Sequence, residues 1–219
     1  MNDMRILDKS KFPRMIDRFM ALGIASGKTL PKYNEPSLFI DRKNQNDCIR
    51  RFNLNKTKAI LGICPGAEYG DAKRWSEEKF SVVAKEVIEH GMQVWLFGSA
   101  RDKVIADKIY KMLPYGYEKE CVNLAGRTTL LDAVDLINLC GHVITNDSGL
   151  MHVASAVGCK IVVLYGSTSP EFTPPLTSDA VVVKKSMICS PCFKRDCPLE
   201  HKNCLNLIEP QDVLIQLDF

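Results

Sequence analysis

Between residues 57 and 165 the chain alternates short apolar runs with longer stretches whose apolar residues recur every three or four positions. The apolar runs predict buried strands at 59–64 (AILGIC), 93–97 (QVWLF), 121–124, 142–145 (HVIT) and 160–165 (KIVVLY). The periodic stretches predict helices at 77–90, 103–112, 129–139 and 149–157. In the first of these Phe80, Val83, Ala84, Val87 and Ile88 share a face, and Gly91 ends it. In 129–139 the inward face is expected to carry Leu130, Val134 and Ile137, with Leu131 beside them. Strands separated by helices of about ten residues imply right-handed crossovers and a parallel sheet. The predicted class is α/β, a doubly wound Rossmann-like sheet.

The N-terminal part reads differently. Residues 12–22 have helical spacing, with Met15, Ile16, Phe19 and Met20 or Leu22 on one side, and need a covering partner. Pro31, Pro36 and the polar run DRKNQND predict a linker, with an edge strand at 37–40 and a helix at 47–52. Residues 1–56 are therefore expected to form a connecting segment, and 57–219 the wound domain.

Composition narrows the classes. The 219 residues include 46% hydrophobic and 25% charged side chains, enough to bury a sizeable core. A net charge of +3 does not call for a nucleic-acid partner. Charged residues interrupt every apolar run before the roughly 18 residues a membrane span needs, and the first segment lacks a secretory apolar stretch. A cytoplasmic location is the expectation. Nine cysteines fall into two groups: Cys48, Cys64, Cys121, Cys140 and Cys159 are scattered, mostly in apolar runs where a reduced thiol packs as a small hydrophobe, whereas Cys189, Cys192, Cys197 and Cys204 crowd into sixteen residues.

Ligands of an open parallel sheet bind beyond the carboxyl ends of its strands. Four segments fall there: PGAEYGDAKRW, GSARD, AGRTT and NDSGLMH. In the last, a strand runs through Asn146, Asp147, Ser148 and Gly149 into a helix, whose first amides would suit a phosphate. Asp147 or Ser148 acting only as a helix cap is the competing reading. Lys73, after Gly66 and Gly70, can reach a phosphate at that turn, and His152 lies one helical turn beyond Gly149.

The segments CPGAEYGDAKRW, LFGSARD, NLAGRTTLLDAV, ITNDSGLMHVASAVG and LYGSTSPEFTPPL, in this order, resemble the ADP-heptose:lipopolysaccharide heptosyltransferases of glycosyltransferase family 9, type II members most of all. The likeness extends to the opening NDMRILDK and covers the second of the two facing Rossmann-like halves of this GT-B family. It implies a nucleotide-sugar site in which Lys73 contacts the donor phosphates and stabilises the leaving diphosphate. Asp147, Ser148, Gly149 and Leu150 would form the donor turn beside Gly66 and His152, with Ser99 and Thr128 lining the adenosine or sugar pocket. It further implies inverting transfer without a metal cofactor, and no DxD motif occurs in the chain. The acceptor site, for a lipid A–core lipopolysaccharide, and the aspartate general base would belong to the first half. This chain is then expected to bind ADP-heptose, without transferring it alone, in contact with the periphery of the inner membrane. Asp147 is set aside as a base because helix-start amides would occupy its carboxylate.

The crowded cysteines have CxxC spacing at Cys189 and Cys192, followed by Cys197 and Cys204, a pattern that can close a tetrahedral zinc site, with His201 as a substitute ligand. Reduced thiols or a labile disulfide are the alternative. This unit is expected to lie away from the donor cleft. Three rival functions remain open: a family 9 transferase with another donor or acceptor, a non-catalytic nucleotide-binding subunit, and a metal-regulated interaction module.

Overall fold

The computed structural model describes residues 4 and 6–217. Part of the opening NDMRILDK lies outside the described residues. Six strands form one wholly parallel sheet: β1 (Ile60–Cys64), β2 (Gln93–Leu96), β3 (Cys121–Asn123), β4 (His142–Asn146), β5 (Lys160–Tyr165) and β6 (Ala180–Lys184), in the order β3-β2-β1-β4-β5-β6. The crossover helices are α3 (Glu77–Glu89), α4 (Lys103–Met112), α5 (Leu130–Ile137) and α6 (Gly149–Ala156); α1 (Met15–Leu22) and α2 (Arg42–Arg51) precede them, and the short α7 (Asn203–Asn206) and α8 (Pro210–Leu214) follow.

Period-two alternation divides the sheet's side chains between two cores. Leu61, Ile63, Val94, Leu96, Ile144, Val162 and Leu164 pack with Phe80, Val83 and Val87 of α3 and Ile105 and Ile109 of α4. Ile60, Trp95, Val143, Ile161 and Val163 pack on the other face with Leu136 and Ile137 of α5 and Met151 and Ala154 of α6. Because helices cover both faces, the central strands can be apolar throughout. All five scattered cysteines are buried and unpaired, as apolar packing required.

The expected α/β class holds, and four details change. In α5 Leu130 and Leu131 are exposed, and the buried positions are 132–137. The helix starts with the capping box of Thr129 and Asp132, which turns its first two leucines away from the sheet. Residues 37–40 form no strand: Leu38 N donates to Ala156 O at the end of α6 at 2.8 Å. The helix expected at 47–52 starts earlier, because the Asp41 carboxylate caps the amides of Lys43 and Asn44. Finally, β6 adds a strand at the sheet edge.

Helix α2 is built into the wound domain. Asn44 donates to Asp135 at 2.7 Å, Gln45 to the Asp135 carbonyl at 2.7 Å, and Arg51 pairs with Asp132 at 2.7 Å. Helix α1 is tethered by Met15 N donating to Phe172 O at 2.9 Å and by the Arg18 guanidinium over the Phe172 ring; Phe19 and Leu22 stay exposed.

Candidate functional site

In a sheet ordered 3-2-1-4-5-6 the chain winds in opposite directions from β1 and β4, so the loops leaving these strands part and open a crevice. A cavity of about 540 Å3 lies there. Its walls include Gly66 after β1, Ser99 after β2, Thr128 after β3, and Ser148, Gly149 and Leu150 after β4. Four strand-to-helix connections, far apart in sequence, thus contribute to one site, and six residues expected from sequence meet in it. Cys64, Leu130, Ala133 and Val153 supply apolar wall. The exposure of Leu130 follows from this position: it faces the cavity instead of the core.

Glycine is required where the Asp102 side chain crowds the main chain. A Cβ on Gly66 would lie 2.2 Å from Asp102 Oδ1, and one on Gly98 2.7 Å from Asp102 Cβ. Asp102 cannot easily move aside, because its carboxylate accepts from the Ser99 amide at 2.9 Å and the Ser99 hydroxyl at 2.7 Å. A Cβ on Gly149 would meet nothing within 4 Å, since that position opens onto the cavity.

At the start of α6 the capping reading fails: the N-cap Ser148 makes no side-chain cap, and its hydroxyl lies 3.3 Å from Thr145 Oγ1. Nor is Asp147 the cap. Its carboxylate accepts from Lys73 Nζ at 2.7 Å and from Thr168 Oγ1 at 2.6 Å, so a lysine and a hydroxyl, in place of helix amides, hold it. The helix start therefore presents its dipole and first-turn amides toward the crevice without a side chain of its own over them.

Lys73, Asp147 and His152 are not part of the cavity wall. Lys73 stands beside it, largely buried in its pair with Asp147, with its ammonium 4.9 Å from the Tyr69 ring centroid. An ammonium has three donors, and a compact cation paired on one side can still address an anion on another. His152 is exposed on α6, yet desolvation lowers its pKa, Asp147 opposes that shift and Lys73 reinforces it. The loop carrying Lys73 is fixed from beneath: the Asn146 side chain accepts from Trp75 N at 3.1 Å and donates to Pro65 O at 2.7 Å, and the buried Trp75 indole donates to Ile208 O at 3.0 Å.

Residues 1–203 match glycosyltransferase family 9 (heptosyltransferase). The chain belongs to glycosyltransferase family 9. It is 39% identical to lipopolysaccharide heptosyltransferase 2 of Escherichia coli K12, over 100% of this chain and 64% of that protein. It is 40% identical to lipooligosaccharide heptosyltransferase 2 of Haemophilus influenzae, over 84% and 55%. Among solved structures, E. coli ADP-heptose lps heptosyltransferase II superposes with a TM-score of 0.86 at 38% identity, covering 99% of this chain and 64% of that one. A family 9 glycosyl transferase from Veillonella parvula gives 0.70 at 25% identity, over 85% and 54%. The chain thus spans just under two thirds of the length of its E. coli relative.

Sequence reasoning about this family 9 member overlooked Thr168 and Asp102. Thr168 lies just past the carboxyl end of β5, and the strand-end rule that selected the other segments covers it as well. Asp102 acts through Ser99 and Gly66, and only the close approach of its carboxylate to Gly66 reveals it.

Proposed function

We propose that the chain is the donor-binding part of a lipopolysaccharide heptosyltransferase that takes heptose from ADP-heptose. The observation that carries this reading is the start of α6, uncapped by side chains and opening into the crevice beside Lys73. The diphosphate would lie across the first amides of α6, and the adenosine among Cys64, Leu130, Ala133 and Val153.

Transfer breaks the bond between the anomeric carbon and the β-phosphate oxygen while the acceptor hydroxyl attacks the opposite face. Negative charge grows on the departing diphosphate, and the rate rises with groups that bind it more tightly as it leaves. Lys73 and the amides of residues 148–150 would do this work in place of a divalent metal. Asp147 and Thr168 position the ammonium, and His152 follows one turn along the same helix. The acceptor's proton would pass to the base that the family resemblance assigns to the other half, since Asp147 is occupied by Lys73 and Thr168. The acceptor would be a lipid A–core saccharide at the cytoplasmic face of the inner membrane. Among the described residues no helix is long and apolar enough to cross a membrane, in keeping with peripheral contact.

A panel of nucleotides tests the reading. ADP should raise the unfolding temperature more than GDP, UDP or CDP at equal concentration, because ligand that binds only the folded state stabilises by mass action. Equal shifts for all four, or none for ADP, would overturn the adenosine assignment.

A further inference from the structure

Residues 185–202 contain neither helix nor strand, and none of them is fully buried. Ile188, Phe193 and Leu199 are exposed, so apolar burial contributes little to their order. Three of the chain's four non-glycine residues with positive φ among the described residues fall here, Phe193 (54°), Glu200 (58°) and Lys202 (45°). Such φ values carry strain that contacts around the segment must offset.

The segment wraps a cavity of about 50 Å3, lined by Cys189, Cys192, Cys197, Cys204, His201 and Ser167. None of the four cysteines is in a disulfide. Ser167 is 1% exposed, and its hydroxyl has no hydrogen-bond partner. A buried, unpartnered hydroxyl on a residue that lines the same cavity as four thiols can be satisfied by a metal-bound thiolate acting as acceptor. Among the described residues no three candidate ligands stand at metal-holding separation, so coordination requires the cysteine side chains to move together.

We infer that Cys189, Cys192, Cys197 and Cys204 bind one thiophilic divalent cation, zinc or iron, and that the resulting knuckle buttresses the loop bearing Lys73. Four soft thiolates in a small cavity select such an ion in tetrahedral geometry. Each thiol gives its proton to solvent as its sulfur coordinates, and side-chain rotation brings the four sulfurs inward. The resulting dianionic centre would lie beside Lys202, which lines the same cavity. His201 remains outside the ligand set, its Nδ1 accepting from Asn203 N at 2.9 Å.

Contacts with the Lys73 loop are direct. Ala72 lines the thiol cavity and its amide donates to Arg195 O at 2.9 Å. Tyr69 donates to Phe193 O at 2.9 Å, Lys202 pairs with Asp71 at 2.6 Å, and a Cβ on Gly70 would come within 2.3 Å of Arg195 O. The cysteine unit contributes nothing to the donor cavity wall, yet it does not stand apart from the site as its sequence position suggests: it abuts the back of the loop that carries Lys73.

Elemental analysis of protein purified without chelator should find about one zinc or iron per chain, the metal identified by the analysis itself. After stripping, titration with Co2+ should give the absorption of a tetrahedral thiolate site that saturates at one equivalent. The spectrum should be lost in Cys192→Ser and Cys197→Ser, persist in His201→Ala, and persist in Ser167→Ala with about tenfold weaker affinity. Metal loading should slow hydrogen exchange at residues 70–74. A folded wild-type chain, by circular dichroism, that carries no metal and gives no cobalt spectrum would overturn the site. A spectrum that survives Cys197→Ser or disappears in His201→Ala would overturn the four-thiolate set, and unchanged exchange at 70–74 would overturn the buttress. None of these readouts involves a nucleotide, so they stand or fall apart from the donor reading.

Discussion

Gly66 is the residue on which the shape of the crevice depends most sharply. With 2.2 Å between its ideal Cβ and Asp102 Oδ1, even alanine forces Asp102 off the Ser99 amide and hydroxyl. Gly66→Ala should cost about 1–3 kcal/mol of stability, the usual range for overpacking, and should weaken ADP binding. Removing the obstacle in Gly66→Ala/Asp102→Ala should recover part of the stability, which denaturant titration of both variants checks; equal losses would refute the steric account. The glycine was legible in the sequence as a small residue at a strand end. Its partner was not, because the approach joins residues 36 positions apart through tertiary packing. Lys73 and Asp147 were each legible from their places after strands, but their mutual ion pair depends on how two loops meet at the β1/β4 crevice.

Helices α2 and α5 are joined by polar contacts centred on Asp132. Burial alone would raise this carboxyl's pKa, but hydrogen bonds from Thr129, Cys48 and Arg51 outweigh it and hold the group well below the usual carboxylate range. Burial, with the contact to Asp132 adding to it, pushes the Cys48 thiol up to about 12. A carboxylate with a depressed folded pKa stabilises fully above its unfolded value near 3.8 and loses that contribution as pH falls through the folded one. Asp132→Asn should therefore destabilise by about 2–4 kcal/mol at pH 7, through a lost helix cap and buried donors left unmatched. The gap to wild type should narrow as pH drops below about 4, read from urea midpoints; a pH-independent gap would contradict the assignment. The crossover helices were legible because each covers the sheet with a periodic apolar face. Helix α2 has no such face: polar RKNQNDCIRR docks through Asn44, Gln45 and Arg51, a pattern that apolar periodicity does not register. The four- and five-residue helices α7 and α8 are too short to show any period.

At the scale of the whole molecule, one topological fact sets the site. Reversal of winding between β1 and β4 opens a single crevice, and the same two strands deliver Lys73 and the start of α6 to its edge. The class was legible in the alternation of apolar runs and helices, whereas strand order was not, because every run is apolar enough to be central. Strand β6 was hidden by its half-exposed pattern at the sheet edge. Cationic and main-chain groups are thus expected to bind a nucleoside diphosphate here without a divalent ion. Titration calorimetry of wild type and Lys73→Ala with ADP-heptose, in the presence of EDTA, tests it most directly. Wild type should bind one-to-one and the variant should lose about 1–3 kcal/mol, the range for a charge-assisted hydrogen bond. Binding that appears only with magnesium, or wild-type affinity in Lys73→Ala, would contradict it.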